Sequence, residues 1–406
     1  MGDYIGILGI VVLLGIAAAF SSNRKAINLR IVGAAFALQA AVAAFVIYSE
    51  WGRSMINTLS SGVLAVIAFS GDGIAMLFQP FADPGSYGFI FAIHVLPVII
   101  FFSALMSVLY HLNIMQWIVK IVGGALHWVI GAGRVESLNA AANVFIGQTE
   151  APLVVRPYLK GLTEPQLFAV MVSGVASIAG TVLAGYVLMG AQTEYLLAAA
   201  FMAAPGGLLM AKIIMPDDKL EPDHGAQLVM EKSQYGNVIL AAATGATDGL
   251  RLAVNIGAML IAFVALIALA NGIVGAVFGL FGFEGITVQY FLGWIFSPIM
   301  FFLSVPWEEA RAAGALFGEK LVLNEFIAFS HLDEYLKGMS ERTHAIVTFS
   351  LCGFANLSSI AILLGGLGVL VPEKKELIAR FGLKAVLAGS LSNLMSAALA
   401  GLLLTF

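Results

Sequence analysis

Three short polar runs stand inside otherwise apolar sequence, and each gathers groups that recognise small polar molecules. The first is Asn143-Val144-Phe145-Ile146-Gly147-Gln148-Thr149-Glu150-Ala151-Pro152. A carboxylate at the bilayer centre costs roughly 2.5–3.5 kcal/mol on insertion scales, so Glu150 is expected to face a cavity, a partner or a ligand. A structural bridge to Arg156 is the plainer reading, but Gln148 and Thr149 beside it add an amide and a hydroxyl that no ion pair requires. The second run is Asn324-Glu325-Phe326, with Glu308 and Glu309 upstream. A carboxylate at 325 can accept hydrogen bonds from two adjacent hydroxyls of a sugar; the alternative is an interfacial acid facing water. Glu308 and Glu309 have Arg311 near enough to pair with one of them. The third run is Gly353-Phe354-Ala355-Asn356-Leu357-Ser358-Ser359-Ile360. An Asn and two Ser in a membrane helix often serve as interhelical hydrogen-bond glue, yet beside two other polar interruptions they suit a helix unwound at a ligand. Phe354 packs either on a flat ring of that ligand or on the core. A fainter fourth run, Ser177-Ile178-Ala179-Gly180-Thr181-Val182, supplies a hydroxyl to set beside the Asn143 amide. A hard cation such as sodium takes oxygens of these kinds, together with the free carbonyls of broken helices.

Other chemistries lack their residues. The six His, at 94, 111, 127, 224, 331 and 344, show no metal-ligand spacing with one another or with Cys352. No Walker loop, G-x-S-x-G elbow or HExxH motif occurs. ATP-driven pumping and metallohydrolysis are disfavoured, no cofactor is expected, and solute movement must draw on an ion gradient or run downhill. The formal net charge is -4, and the 20 Lys and Arg do not gather into a phosphate-neutralising stripe, so nucleic acid is not an expected partner. The single cysteine, Cys352, permits no intrachain disulfide.

The elements that must position these runs are membrane helices. The chain is 60% hydrophobic and 11% charged, with a mean hydropathy of +0.96, where soluble domains average about 45–50% and about 25%. The expected fold class is an all-α polytopic membrane protein with eight spans: Tyr4 to Phe20, Ile31 to Tyr48, Phe89 to Leu109, Leu167 to Met189, Tyr195 to Met215, Leu252 to Leu280, Ala345 to Leu370 and Leu383 to Phe406. Trp51 to Gly88, interrupted by Ser60-Ser61-Gly62, Gly71-Asp72-Gly73 and Pro84-Gly85, suits a helix lying along the interface. Pro216 to Asn237, with Asp217, Asp218, Lys219, Glu221, Asp223, His224, Glu231 and Lys232, reads as an aqueous loop.

Gly131 to Lys160 and Gly285 to His331 each read as a re-entrant hairpin, because non-helical backbone at membrane depth survives only where it is buried in protein or lines a wet cavity. After each comes an apolar span with a polar break, then a final span. Paired interruptions in two halves are the sequence pointer to a secondary transporter's site. The expected organisation is 1–130 scaffold helices with an interfacial helix, 131–215 a first repeat, 216–237 the polar loop, 238–284 an interfacial and scaffold helix, and 285–406 a second repeat. Tyr4 to Phe20 has Asp3 before it and Arg24, Lys25 and Arg30 after it, the reverse of a signal peptide. It reads as a retained helix, with the amino terminus outside and the basic loop in the cytoplasm.

At these residues the sequence resembles the concentrative nucleoside transporter family, most closely its bacterial sodium-coupled members. The resemblance spans essentially the whole chain and is most specific at Gly147 to Pro157, at Asn324-Glu325-Phe326 and at Cys352 to Ala361. It implies a homotrimer in the bacterial inner membrane, surrounded by lipid. Each protomer would have eight membrane helices, two re-entrant hairpins and interfacial helices in inverted repeats, and would move a transport domain against a fixed scaffold. Gln148, Thr149 and Glu150, with Val182 and Leu252, would meet the nucleobase. Glu325, Asn356 and Ser359 would hold the ribose, with Phe354 alongside. Sodium would bind the Asn143 and Ser177 side chains and the Ile146 and Ile178 carbonyls. A passive pore would need a lining continuous across the bilayer, and a carrier for anions would place Arg or Lys at the site core. Proton coupling is the nearer alternative, against which stand both Asn143 and Ser177.

Overall fold

In lipid, a segment must satisfy its backbone polar groups internally, and a run of Leu, Ile, Val, Ala and Phe does so as a helix. A computed structural model describes residues 5–217 and 235–404, and among these no strand occurs. Asp218, Lys219, Glu221, Asp223, His224, Glu231 and Lys232 of the expected polar loop lie outside the described residues.

The chain begins with α1 (Ile5–Ala19) and α2 (Leu29–Tyr48), the latter capped by Asn28, whose Oδ1 accepts from the Arg30 and Ile31 amides. Next come α3 (Glu50–Phe78), α4 (Leu96–His111) and α5 (Ile114–Ile130). The first half continues with α6 (Arg134–Asn143), α7 (Ala151–Val154), α8 (Glu164–Ala176), α9 (Gly180–Leu188) and α10 (Thr193–Ile214). The long α11 (Val238–Gly279) leads to α12 (Val288–Phe302), α13 (Trp307–Val322) and α14 (Glu325–Ser330). The series closes with α15 (Glu341–Leu351), α16 (Ser358–Gly365) and α17 (Lys375–Leu403).

Among the described residues seven helices are long and apolar enough to cross a membrane, or eight if α12 and α13 form one bent span. The match to the eight expected spans is uneven. The first helix has only 15 residues. The span expected over Ala345 to Leu370 is divided into α15, α16 and a short turn of helix, because Gly353 to Leu357 unwinds. The Ser-Gly and Gly-Asp-Gly runs of α3 do not interrupt it: it is one helix of 29 residues. Where the second hairpin is expected, α12 is a separate helix that meets α13 at a bend of 118°.

An order of elements occurs twice: α5, α6, break, α7, the broken pair α8/α9, then α10; and α12, α13, break, α14, the broken pair α15/α16, then α17. These two series pack together, α17 lying against α8, α10 and α15. In contrast, α11 packs chiefly along α4. Within the 1–130 segment, α1 and α2 lie on α17 and α10 rather than on the α4/α11 pair. One buried ion cluster fastens α10 to α6: Lys212 Nζ lies 2.6 Å from Glu136 Oε1 and 2.7 Å from Asp217 Oδ2, and Glu136 Oε2 caps the start of α6 by accepting from Gly133 N.

Candidate functional site

The two broken helices exist because their loose ends are tied to each other and to the two segments expected as hairpins, α6/α7 and α13/α14. α8 opens with a capping box, Thr163 with Gln166, and stops at Ser177, where the chain turns extended through Ala179 before α9 begins. The Gly180 amide is satisfied across the gap by the Phe145 carbonyl at 3.1 Å, and the Ser177 carbonyl accepts from Phe354 N at 3.1 Å. The second break is tied in turn to the second hairpin, Leu357 N donating to Leu321 O at 3.1 Å. Two glycines permit this closeness: a Cβ on Gly180 would lie 2.7 Å from the Phe145 carbonyl, and one on Gly353 would lie 2.7 Å from the Ala176 carbonyl. Four polar interruptions distant in sequence thereby form one region.

That region borders a cavity of about 800 Å³. All nine residues expected to meet the substrate line it: Gln148, Thr149 and Glu150 from the first hairpin, Val182 from α9, Leu252 from α11, Glu325 from the second hairpin, and Phe354, Asn356 and Ser359 from the second break. On one side a hydrogen-bonded chain is already assembled. Asn356 Nδ2 donates to Glu325 Oε2 at 2.9 Å, and Tyr186 OH donates to Glu325 Oε1 at 3.0 Å. The Asn356 Oδ1 accepts from Ser359 N at 2.9 Å and from Ser358 Oγ at 2.6 Å. The Glu325 carboxylate is thus held by two donors, and Asn324 caps α14 at its root through Ile327 N at 3.0 Å. Across the cavity Gln148 Nε2 reaches Ser359 Oγ at 3.4 Å, while its Oε1 is buried with no partner among the described residues. Glu150 opens onto the cavity and makes no ion pair with Arg156, so the structural-bridge reading does not hold. Glu309 is likewise engaged by Ser340 and Thr343, and Arg311 lies over the Tyr290 ring instead.

Asn143, Ser177 and Ile178 lie behind the cavity, where the tip of the first hairpin meets the α8/α9 break; Ile146 reaches the cavity wall. Asn143 Nδ2 donates to Asn139 O at 2.9 Å, leaving its Oδ1 buried and without a partner among the described residues. Ser177 Oγ donates to Ser173 O at 3.0 Å, which leaves its oxygen lone pairs free to accept. Neither the Ile146 nor the Ile178 carbonyl accepts a hydrogen bond among the described residues. Buried oxygens without donors are rare in proteins, and amide, hydroxyl and carbonyl oxygens are the kinds a hard cation takes.

Sequence reasoning missed the opposite wall. Ser103, Ser107 and Tyr110 of α4 line the cavity, as do Asp248, Arg251 and Asn255 of α11. The available signal was periodicity: these polar groups recur at helical spacing along one face of two otherwise apolar helices. Tyr186, which sits under Glu325 and packs on the rings of Phe326 and Phe329 at 4.8 and 4.6 Å, gave no signal because an aromatic residue in an apolar span reads as core.

Three family models match the chain. One described as Na+ dependent nucleoside transporter N-terminus covers residues 8–81, one described as nucleoside recognition covers 92–193, and one described as Na+ dependent nucleoside transporter C-terminus covers 195–401. The chain is 49% identical over 406 residues to nucleoside permease NupC of Helicobacter pylori, covering 98% of this chain and 96% of that protein. It is 34% identical to sodium/nucleoside cotransporter 1 of Mus musculus, covering 97% of this chain and 63% of the longer mouse protein. The solved structure of CNTnw in an inward-facing substrate-bound state matches with a TM-score of 0.94 at 49% identity, over 100% of this chain and 99% of that one.

Proposed function

The chain belongs to the Na+-dependent nucleoside transporter family, and from that membership we propose that it is a symporter that imports nucleosides on a sodium gradient. It is a multi-pass membrane protein and a transporter, not an enzyme. The observation that carries the proposal is the cavity in which Glu325, Asn356 and Ser359 face Gln148, Thr149 and Glu150. A nucleoside has a vicinal diol at one end and a flat ring edged with donors and acceptors at the other. In this reading the diol donates to the Glu325 carboxylate, which Tyr186 and Asn356 hold in place, and Phe354 packs on the sugar. The ring is read by the open amide of Gln148 with Thr149 and Glu150, between Val182 and Leu252.

A neutral solute gains nothing from the membrane potential unless a cation accompanies it, worth about 2.3 kcal/mol per charge per 100 mV. The donor-free oxygens of Asn143, Ser177, Ile146 and Ile178 supply the place for that cation. Because the ion region and the cavity share the first hairpin, sodium orders the hairpin tip on which the base-reading residues stand, and this is the proposed coupling.

The moving part in this reading is the set of helices that pack on α17, with α1 and α2 travelling along, and the fixed part is the α4/α11 pair. The cavity lies between them, as an elevator movement requires. We further propose a homotrimer in the bacterial plasma membrane with the amino terminus outside. The test is uptake of radiolabelled uridine into proteoliposomes with sodium inside, outside or absent. Accumulation that requires inward sodium is the expected result. Uptake that follows a proton gradient and ignores sodium would overturn the coupling while leaving the substrate class intact.

A further inference from the structure

The two hairpins match in architecture and differ in charge. At the first, the end of α6 carries Asn139 and Asn143, both with a buried Oδ1 that has no partner among the described residues, and no Lys or Arg is paired with Glu150. At the second, the last turn of α13 carries Lys320, whose relative exposure is 0%. Its Nζ donates to Asn393 Oδ1 at 2.8 Å and to Ser350 O at 3.2 Å, and lies 5.5 Å from the centroid of the Phe317 ring. All three directions offer electron density, the surroundings of an ammonium rather than of an amine that also accepts. Asn393 extends the contact: its Nδ2 donates to Ala176 O at 2.7 Å and to Cys352 O at 2.9 Å. Ala176 ends α8 and Cys352 follows α15, so these carbonyls stand at the negative ends of two helix dipoles. Among the described residues Lys320 forms no ion pair, and Glu325 follows five residues onward at the start of α14.

A buried ammonium without an ion pair is costly, and a merely structural residue here would be served as well by Met or Gln. We propose that Lys320 is a tethered cation: in the second half of the molecule it does what the travelling sodium does in the first. It compensates the Glu325 carboxylate and, through Asn393, holds the carbonyl ends at both helix breaks. The second hairpin therefore needs no ion from solution, and a single exchangeable sodium accompanies each nucleoside. Lys320 is a positioning residue, acting through Asn393 and Glu325. The inference rests on the sodium-coupled reading given above.

The experiment measures uptake of labelled sodium and labelled uridine together, in proteoliposomes holding the full chain. The expected ratio is about one sodium per uridine in the unmodified protein, and about two, with a steeper sodium dependence, in Lys320→Ser, which leaves an oxygen-lined space for a second ion. Lys320→Met, of similar length and without charge, is the second variant should the first fail to fold; it too is expected to need more sodium for half-maximal uridine uptake. A ratio of about two in the unmodified protein overturns the proposal. So does a folded variant with an unchanged ratio and unchanged sodium dependence. Uridine uptake by the unmodified protein that ignores sodium altogether would sink the parent reading instead, so the two failures are distinguishable.

Discussion

Glu325 has its two carboxylate oxygens held by different donors, Tyr186 and Asn356, which leaves its remaining lone pairs directed for a ligand. A hydrogen bond to a charged group contributes about 1.5–3 kcal/mol, so Glu325→Gln is expected to weaken uridine binding by roughly ten- to a hundredfold, read as the Kd at saturating sodium. Tyr186→Phe removes a single donor and is expected to weaken it several-fold. Equal affinity in both variants would show that the diol is held elsewhere. Asn143→Ala removes a buried oxygen that has no partner among the described residues, and it is expected to raise the sodium needed for half-maximal uptake while leaving uridine affinity at saturating sodium nearly unchanged. That the polar residues of these runs share one cavity was legible in the sequence because charge and amide groups inside apolar runs are expensive and therefore conspicuous. The place of Tyr186 was not, since a phenol buries as readily as a phenylalanine when its hydroxyl has a partner.

The breaks in α8/α9 and α15/α16 are legible as polar runs, but their bonding is not. The reach of Phe354 N to Ser177 O joins residues far apart in sequence, and no local pattern encodes such a tie. The same holds for Lys212, which reads as the polar end of α10 yet is 3% exposed and clamped to Glu136 of α6. Breaking one partner of a buried pair strands the other charge, at a cost of about 3–5 kcal/mol. Lys212→Met is accordingly expected to lower the melting temperature of the purified protein markedly, and Lys212→Met with Glu136→Gln to recover much of the loss. A double variant as unstable as the single one would show that packing, not charge, is what Lys212 contributes. The segment expected as an interfacial helix forms α3, which is also long and apolar enough to span, and its Ser and Gly are tolerated because the helical backbone bonds are kept intact.

At the scale of the molecule, hydropathy made the helical class and most of the span positions plain, whereas the grouping of helices into bodies was not. Segments α1 and α2 precede the first repeat in sequence yet pack on its last helix and on α17; a linear reading divides the chain where a polar loop falls, and packing does not. With Cys352 replaced by Ser, the chain has no native thiol, so single cysteines report on topology and movement. Arg24→Cys is expected to react with a membrane-impermeant maleimide only from the cytoplasmic face, and reaction from the outer face would invert the proposed orientation. Leu153→Cys, on the first hairpin and facing the cavity, is expected to be protected by uridine with sodium.

One dimension bears on that movement. At 1.5 Å per residue the 42 residues of α11 make a rod roughly 63 Å long, about twice the ~30 Å hydrocarbon thickness. Such a rod must lean steeply or jut past the headgroups, and in the proposed elevator movement a body sliding beside it by a few helical turns would still have rail left to ride on at either limit of its stroke.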